Sequence, residues 1–584
     1  GKSYYFKNPV KVLELKNPSK VSEFFALLEE YSKKYYAAGF MSYELGYVFE
    51  NCFGVMPRGA LFRRGGKRFF PLALFGIYEK PGIRDVPKII RGGKKDYRIK
   101  KLKLNVSKKE YLLSVRKIKR HIRAGDIYQA DYTMKYKFGF EGNAADFYEE
   151  LKKKQKAPYA AYLDFGDTKI ISLSPELFFS KKGRKITVRP MKGTARRGFD
   201  NGSDRERADF LFNDEKNRSE NLMIIDLMRN DLGRIALPGT VSVKKMFEVE
   251  KYDTLFQMTS TVKSVLRRKL SFYDIIKNIF PSGSVTGAPK IRSMEILRKL
   301  EAEPRNVYTG AVGFLSPGGK AVFNVPIRTV LLRGGRGEMG VGSGIVYDSG
   351  PSEEYDECVL KADFLTKERK EFCLIETLLF DNKFKNISAH LSRLRQSAAY
   401  FGFKFDAKKI KAALSRKTRG LSRGRWKIRV LLSENGNLSL GAERAPEISG
   451  ALKLMFSSKK VDSSDRFLYH KTTERRLFDT ELVRARKKVF FDIVFVNEKG
   501  LVTEGAVTNI YAEKRGVIYT PPVSCGLLRG TIRRRLLARG KIKEKNLYPR
   551  DLRTADAIYV SNAVIGFRKA VMMSNVKTSD ALAL

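Results

Sequence analysis

A short β-branched run, Ile186-Thr187-Val188, leads into Arg189-Pro190-Met191-Lys192-Gly193-Thr194-Ala195-Arg196-Arg197-Gly198, and this stretch constrains the first two-thirds of the chain more than any other. Three β-branched residues in a row predict a strand. Proline has no N–H for a sheet ladder, so the strand is expected to stop, or to lie at an edge, at Pro190. Gly193 loosens the backbone behind it and leaves Lys192 at a strand-to-loop corner. A lysine held there and partly desolvated can lose its proton and act as a nucleophile. A solvated surface lysine explains the same letter. In a chain with 114 Lys and Arg against 63 Asp and Glu, that plainer reading stands unless the neighbouring motifs overturn it.

A chain of 584 residues exceeds one ordinary core, so two or more domains are expected. Its 43% apolar and 11% aromatic content is globular rather than disordered. Cys52, Cys358, Cys373 and Cys525 show no CxxC spacing. Neither a disulfide framework nor a zinc ribbon is suggested, and a reducing, cytoplasmic location is expected. No apolar run approaches a membrane span, and the first residues carry no signal-peptide pattern, so no membrane partner is expected. The start on Gly1 rather than methionine points to a trimmed chain.

The net charge of +51 raises nucleic acid as a partner. The basic residues are scattered rather than gathered, and clusters such as Arg533-Arg534-Arg535 lie within apolar periodic stretches that read as solvated helix faces. There is no zinc-finger spacing and no aromatic RNA-binding motif. Nucleic acid is therefore not expected as the primary partner, while a basic surface would also attract small dianions.

Residues 1 to about 85 mix β-rich runs with a helical stretch at 21–38, followed by a strand and turn at 39–46. Residues 108–123 have helical periodicity and end at Gly125, just before Gln129. A strand at 169–173 precedes Ser174-Pro175-Glu176, which would set Glu176 and Lys192 on neighbouring strands of one hairpin, facing one pocket. A helix at 219–229 carries Glu220 near its start, where a carboxylate also simply suits the helix dipole. The Gly/Pro loop 281–290 contains Thr286 and opens a helix at 291–300, whose first N–H groups are free for an anion. Tyr308 follows, then a strand at 324–332 carrying Arg328. Gly342 and Gly344 allow a ligand close to the backbone. Glu354 and Glu357 share a helical face, with Lys361 one turn further along it.

Seven motifs, SPELFF, RPMKGTARR, ENLMIIDLMRNDLG, FPSGSVTGAPK, NVPIRT, SGIVYDSGPSEEYDE and LKA, occur in the order found in the chorismate-utilising enzyme family, which residues 40 to 365 resemble. The resemblance implies two packed β-sheets with helices outside, and chorismate bound with magnesium. Magnesium takes hard oxygen ligands and keeps water. Glu220 and Glu357 match the family's ligands, with Glu354 close by. Arg328, Lys361, Tyr308, Thr286 and the backbone at Gly342 and Gly344 match positions that hold the substrate's carboxylates, and Glu176 matches the acid that protonates the departing C4 hydroxyl.

Two positions choose the reaction. Family members that add water carry a lysine where this chain has Gln129, and an amide cannot deprotonate water, so hydration is not expected. Anthranilate-forming members usually have alanine where this chain has Lys192. Lysine there resembles the aminodeoxychorismate-forming branch, in which it would attack C2 as the C4 hydroxyl leaves, before ammonia attacks C4 and expels it. Gln257 stands where many relatives have histidine. It can hydrogen bond but carries no proton charge at neutral pH, so no acid–base role is expected of it. The N-terminal part is short for the family. With only His121, His390 and His470, and no cysteine in a nucleophile-elbow setting, the ammonia is expected from a separate glutamine amidotransferase or from free ammonia.

The charged stretch from Phe364 to Glu371 reads as a boundary, giving expected domains at 1–366 and 367–584. Beyond it come Phe372 to Thr377, His390-Leu391-Ser392-Arg393 opening a helix to Phe401, Tyr469-His470-Lys471, a stretch from Leu501 to Ile510, and one from Cys525 to Arg533. Together these resemble the fold-type-IV pyridoxal-phosphate enzymes over about residues 372–575, which implies two α/β subdomains. Such an enzyme needs a lysine to hold the cofactor and an acid at its ring nitrogen. Lys471 and Glu504 match these roles. Arg393, Thr531 with Ile532, and the Ser561-Asn562-Ala563 loop match the phosphate cradle, and Leu528 matches the residue packed on the ring. A homodimer is expected by analogy.

The family includes aminotransferases as well as a lyase, and these motifs do not separate them. The fusion does, because the first segment would make the lyase's substrate. The expectation is an α+β, bifunctional enzyme of folate biosynthesis that aminates chorismate at C4 and then eliminates pyruvate to give 4-aminobenzoate. One rival is an anthranilate synthase-like segment fused to a class IV aminotransferase, with Lys192 dispensable. Another is a nucleic-acid-binding protein on a degenerate enzyme scaffold, with steeply salt-dependent binding.

Overall fold

The structure, a computed structural model, describes residues 3–50, 70–84, 96–155, 157–253, 255–366 and 371–573. Cys52, residues 367–370 at the expected boundary and the last residues, 574–584, lie outside the described residues. The chain divides into two compact units, Gly1–Arg196 with Ala208–Arg369, and Arg197–Arg207 with Lys370–Leu584.

In the first unit the β-branched run forms the strand Lys185–Arg189, which makes a hairpin with Leu177–Lys182. The ladder breaks at Pro190, as a missing N–H requires. It then resumes, and here the expectation is corrected: Lys192 lies within a further strand, Met191–Arg196, not at a strand-to-loop corner. Both strands pair with the long strand Leu255–Val265, which passes beyond Pro190 and templates the chain on either side of it. The register slips between Met191 and Thr194, and Gly193 has φ +89°, so Lys192 and Gly193 form a bulge that re-aims the side chain. Glu176 and Lys192 therefore sit just outside the hairpin's paired strands rather than on them.

These strands belong to a ten-stranded sheet, and a seven-stranded sheet contains the long strand Gln129–Gly142. Phe40, Leu74 and Val312 from the first sheet pack with Ile170 and Leu331 from the second in one cluster. Burying each such side chain contributes about 1.5–3 kcal/mol. Helices cover the outer faces. Lys108–Arg123 is a helix as its periodicity predicts, buries Tyr111, Val115 and Ile118, and starts in a capping box between Ser107 and Glu110.

Other boundaries move. The stretch at 21–38 is a helix only over Val21–Ser32, because its apolar stripe of Val21, Phe24, Phe25 and Leu28 ends there. Tyr36–Met41 is a strand paired with Ala73–Tyr78. The helix carrying Glu220 runs Glu215–Gly233, capped by Asp214. Glu220 thus lies past the first turn, where the dipole explanation fades. The stretch 324–332 is two strands, Ala321–Asn324 in the first sheet and Thr329–Arg333 in the second. Pro326 cannot extend the ladder, so the chain crosses between sheets and holds Arg328 at φ +50°.

The second unit has a four-stranded antiparallel sheet with the helices Ile387–Phe401 and Ala407–Thr418, and an eight-stranded mixed sheet. In the latter, Leu452–Val461 runs parallel to both Asp492–Asn497 and Gly566–Met572. The residues 197–207 are part of this unit. Phe199 stacks on Tyr469 at 4.7 Å, its carbonyl accepts from His470 Nε2 at 2.9 Å, and Asp200 pairs with Arg529 at 2.8 Å. The fold is α+β, with two packed sheets in the first unit and two subdomains in the second.

Candidate functional site

Lys192 Nζ lies 2.8 Å from Asp131 Oδ1, with both side chains almost buried. Asp131 Oδ2 accepts from Gln129 Nε2 at 3.3 Å, and the buried Gln129 Oε1 has no hydrogen-bond partner. These groups meet above Gly344, which pairs with Asp131 across the ladder. A Cβ on Gly344 would come within 3.0 Å of both Asp131 Oδ1 and Lys192 Nζ, so glycine is what leaves room for them. Gln257 does not face this group. Its Nε2 donates to the Gly193 carbonyl at 2.9 Å and its Oε1 accepts from Thr194 at 3.2 Å, so its amide holds the bulge that carries Lys192.

Glu176 is buried and accepts from Ser284 Oγ at 2.6 Å. Burial pushes its carboxyl up to about 7, against the pull of the Ser284 hydroxyl and the nearby Lys192 charge, so a large fraction of molecules hold a proton there in neutral solution. The loop that supplies Ser284 and Thr286 is anchored at Lys290. There a buried ion pair with Asp231 at 2.6 Å joins the loop to the helix Glu215–Gly233. Asp131 N–H donates to the Thr286 carbonyl at 2.8 Å, which brings that loop against the Gln129 strand.

Arg328 Nη1 is buried with no hydrogen-bond acceptor among the described residues, and burial pushes the guanidinium down to about 10. Lys361 donates to the Gly342 carbonyl at 2.9 Å and pairs with Glu357 at 2.7 Å. Burial works against its charge, and Glu357 outweighs it and raises the amine above its ordinary range. Tyr308 lies across Gly340, where any Cβ would strike its ring.

Glu354 and Glu357 share the helix Pro351–Lys361, with Glu354 held by Ser349 at 2.7 Å. Burial raises Glu220, which also feels Glu354 and Lys192. Burial likewise raises Glu354, whereas Lys361 lowers Glu357. Among the described residues no three His, Cys, Asp or Glu form a ready metal cage. Carboxylates on two facing helices fit a magnesium that takes one or two protein oxygens and keeps water and substrate oxygens for the rest.

In the second unit, Lys471, Glu504, Arg393 and Leu528 line one cavity of about 540 Å³, together with Thr531, Ile532, Ser561 and Asn562. Burial pushes Lys471 down to about 7, with Arg393 and Arg475 adding to the effect. Burial pushes Glu504 up to about 8, although it accepts Leu528 N–H at 3.1 Å. Arg393 is clamped by the buried Glu376 through Nε at 2.8 Å and Nη2 at 2.7 Å, while Nη1 donates to the Arg529 carbonyl at 3.4 Å. Burial would raise the Glu376 carboxyl, and Arg393 and His390 together hold it at about 2 instead. Thr531 opens the helix Thr531–Ala538, whose first N–H groups have no partner within the helix. Ser561 bonds to Tyr511 at 2.7 Å, and Asn562 donates to the Val507 carbonyl at 3.2 Å. An amine whose proton is held weakly, an acid whose proton is held strongly, an oriented guanidinium and a helix start fit a phosphorylated pyridine aldehyde.

Sequence reading missed Asp131, Ser284, Glu376 and Asp492. Asp131 is two residues past Gln129, and alternate residues of a strand share a face, so the spacing signalled it. His390 and Arg393 at i and i+3 share a helical face, which called for an acid opposite. Asp492 is buried and accepts from Thr508 Oγ1 at 2.6 Å and from the Ile493 and Val507 N–H groups, shaping the turn that follows Glu504. Nothing local in the sequence marks it.

Residues 4–367 match the chorismate binding enzyme family, and residues 374–571 match class IV amino-transferases. The chain belongs to the chorismate binding enzyme family. It is 40% identical over 253 residues to aminodeoxychorismate synthase component 1 of Salmonella typhimurium, covering 43% of this chain and 56% of that protein. It is 38% identical over 263 residues to anthranilate synthase component 1 of Aquifex aeolicus, covering 45% and 53%. The chain thus spans about half the length of the curated relatives it matches. Among solved structures, anthranilate synthase component I from Streptococcus pneumoniae is similar with a TM-score of 0.55 and 29% identity, over 63% of this chain and 92% of that one.

Proposed function

We propose that the chain converts chorismate to 4-aminobenzoate in two steps, amination at C4 in the first unit and loss of pyruvate in the second. The observation that carries this reading is Lys192, held on a bulge beside the buried Glu176, with Arg328 Nη1 in the same unit buried and without an acceptor among the described residues. Arg328 and Lys361 would hold the carboxylates of chorismate. Lys192 would attack C2 while Glu176 protonates the C4 hydroxyl as it leaves, and ammonia would then attack C4 and expel the lysine. Glu220 and Glu354 or Glu357 would hold a magnesium ion, which neutralises substrate carboxylate charge when bound. A separate glutamine amidotransferase would supply ammonia, as the component 1 naming of the relatives suggests. The free thiols of Cys358, Cys373 and Cys525 suit a reducing cytoplasm.

In the second unit, pyridoxal phosphate supplies an electron sink for the amine-bearing carbon when bound. Lys471 would hold the cofactor and then move the proton. Glu504 would share its proton with the ring nitrogen, and Arg393, Thr531 and Asn562 would orient the phosphate.

The test is a product assay on the full chain with chorismate, Mg2+, pyridoxal phosphate and ammonium at alkaline pH. 4-Aminobenzoate with pyruvate is the expected result. 2-Aminobenzoate would overturn the C4 assignment, and accumulated aminodeoxychorismate would leave the second unit an aminotransferase.

Two narrower outcomes follow from the geometry. A proton donor near pH 7 empties as pH rises, so the first step should slow about tenfold per unit above pH 7, and Glu176→Gln should lower the rate and flatten that limb. A pH–rate profile of chorismate consumption checks this. Glu357→Gln should raise the magnesium needed for half-maximal rate by about tenfold or more, and an unchanged titration would remove Glu357 from the metal site.

A further inference from the structure

We infer that Asp131 is the base that takes the proton from Lys192, a role that rests on Lys192 being the nucleophile. An ammonium group has no lone pair, so Lys192 cannot attack until a proton leaves. The acceptor must be within hydrogen-bond reach, and Asp131 Oδ1 lies 2.8 Å from Nζ. The second oxygen of the carboxylate is fixed by Gln129 Nε2. Because Asp131 offers only acceptors, it dictates that the Gln129 amide turns its NH2 inward, which is why Oε1 is left buried and unpartnered. Gly344 on the facing strand leaves the space above all three side chains open.

Two carboxylates in one site have been driven to opposite tasks. Glu176 is enclosed with a serine hydroxyl, and burial raises its carboxyl, whereas both Asp131 oxygens face donors, Lys192 Nζ and the Gln129 amide N–H. Such a division marks the acid and the base of a reaction. In the first half-reaction the proton moves from Nζ to Asp131 Oδ1 and the N–C2 bond forms. The two conjugated ring π pairs shift, C1=C2 to C1=C6 and C5=C6 to C4=C5, the C4–O bond breaks, and Glu176 delivers its proton so that water departs. In the second half the lone pair of ammonia forms N–C4, both π pairs shift back, and the C2–N bond to Lys192 breaks. The ammonia nitrogen loses one proton to Glu176, and Asp131 returns its proton to the freed amine. Both carboxyls regain their starting states, and the overall change is chorismate plus ammonia to aminodeoxychorismate plus water.

The experiment compares Asp131→Asn, Asp131→Glu and Lys192→Ala in the full chain, saturated with Mg2+ and ammonium. Asparagine keeps an acceptor for Lys192 but cannot take its proton. The expected result for Asp131→Asn is a loss of about 100-fold in kcat for chorismate consumption, with KM within about twofold. The pH–rate profile should change, and the chorismate–protein adduct expected by intact mass in quenched wild-type mixtures should not appear with Asp131→Asn. Asp131→Glu should recover part of the rate. Thermal melting and KM establish that the variants fold and bind. A wild-type rate or an unmoved pH profile for Asp131→Asn, with Lys192→Ala inactive, would overturn the role of Asp131 alone. A wild-type rate for Lys192→Ala would instead overturn the nucleophile on which it rests.

Discussion

If the chain makes 4-aminobenzoate as proposed, Lys471→Ala is expected to abolish the visible absorbance of bound pyridoxal phosphate and to stop pyruvate release, with chorismate still consumed and aminodeoxychorismate accumulating. The expected loss in the second step is at least about 100-fold, or about 2.7 kcal/mol of barrier. The physical ground is burial: a charged amine in the cavity beside Arg393 and Arg475 costs solvation and repulsion, so Lys471 titrates near 7 and is a free amine in a large fraction of molecules at neutral pH. Cofactor capture by the apoprotein should accordingly quicken as pH rises through 7, and no pH step should remain in the alanine variant. Retention of the absorbance band in Lys471→Ala would exclude it as the residue that holds the cofactor. Arg393 and the helix start at Thr531 are untouched by the substitution, so weak, non-covalent binding of the phosphate should persist and is measurable by dialysis.

On the same proposal, Lys192→Ala is expected to lower 4-aminobenzoate formation by about 100-fold, again about 2.7 kcal/mol, without a comparable fall in stability. The side chain leaves a polar pocket rather than a packed core, and its ion pair with Asp131 has only a small exposed area to lose. The informative part is the product. Alanine at this position removes the covalent route through C2 and opens that carbon to ammonia, so a trace of 2-aminobenzoate in place of 4-aminobenzoate is the expected signature. Chromatography of the products, with stability followed by thermal melting, separates this from unfolding. 4-Aminobenzoate at the normal rate from Lys192→Ala would remove the covalent step.

How much of this was legible differs by kind of feature. Helix Lys108–Arg123 could be read from spacing alone because its signals are local: a capping box at Ser107, an apolar stripe, and a glycine after its end. The break at Pro190 was legible for the same reason. The resumption of the strand at Met191 was not, because it depends on Leu255–Val265, a partner distant in sequence that continues past the proline. Residues 324–332 read as one strand because apolar letters run through Pro326, whereas the chain spends them on two different sheets.

The candidate sites divide in the same way. The motifs named Lys192, Glu176, Lys471, Glu504 and Arg393, because residue type and family order survive without coordinates. Sequence by itself determined the α+β plan and the family of the first segment, and it nominated candidate reactive side chains. Tertiary structure decided which of them meet. It placed Asp131 on Lys192, Glu376 on Arg393 and Gln257 on the backbone of the bulge, and it assigned residues 197–207 to the second unit. It also set the protonation of Glu176, Lys471 and Glu504, since a carboxyl or amine responds to the water it has lost and the charges around it, and neither is encoded by its neighbours in the chain.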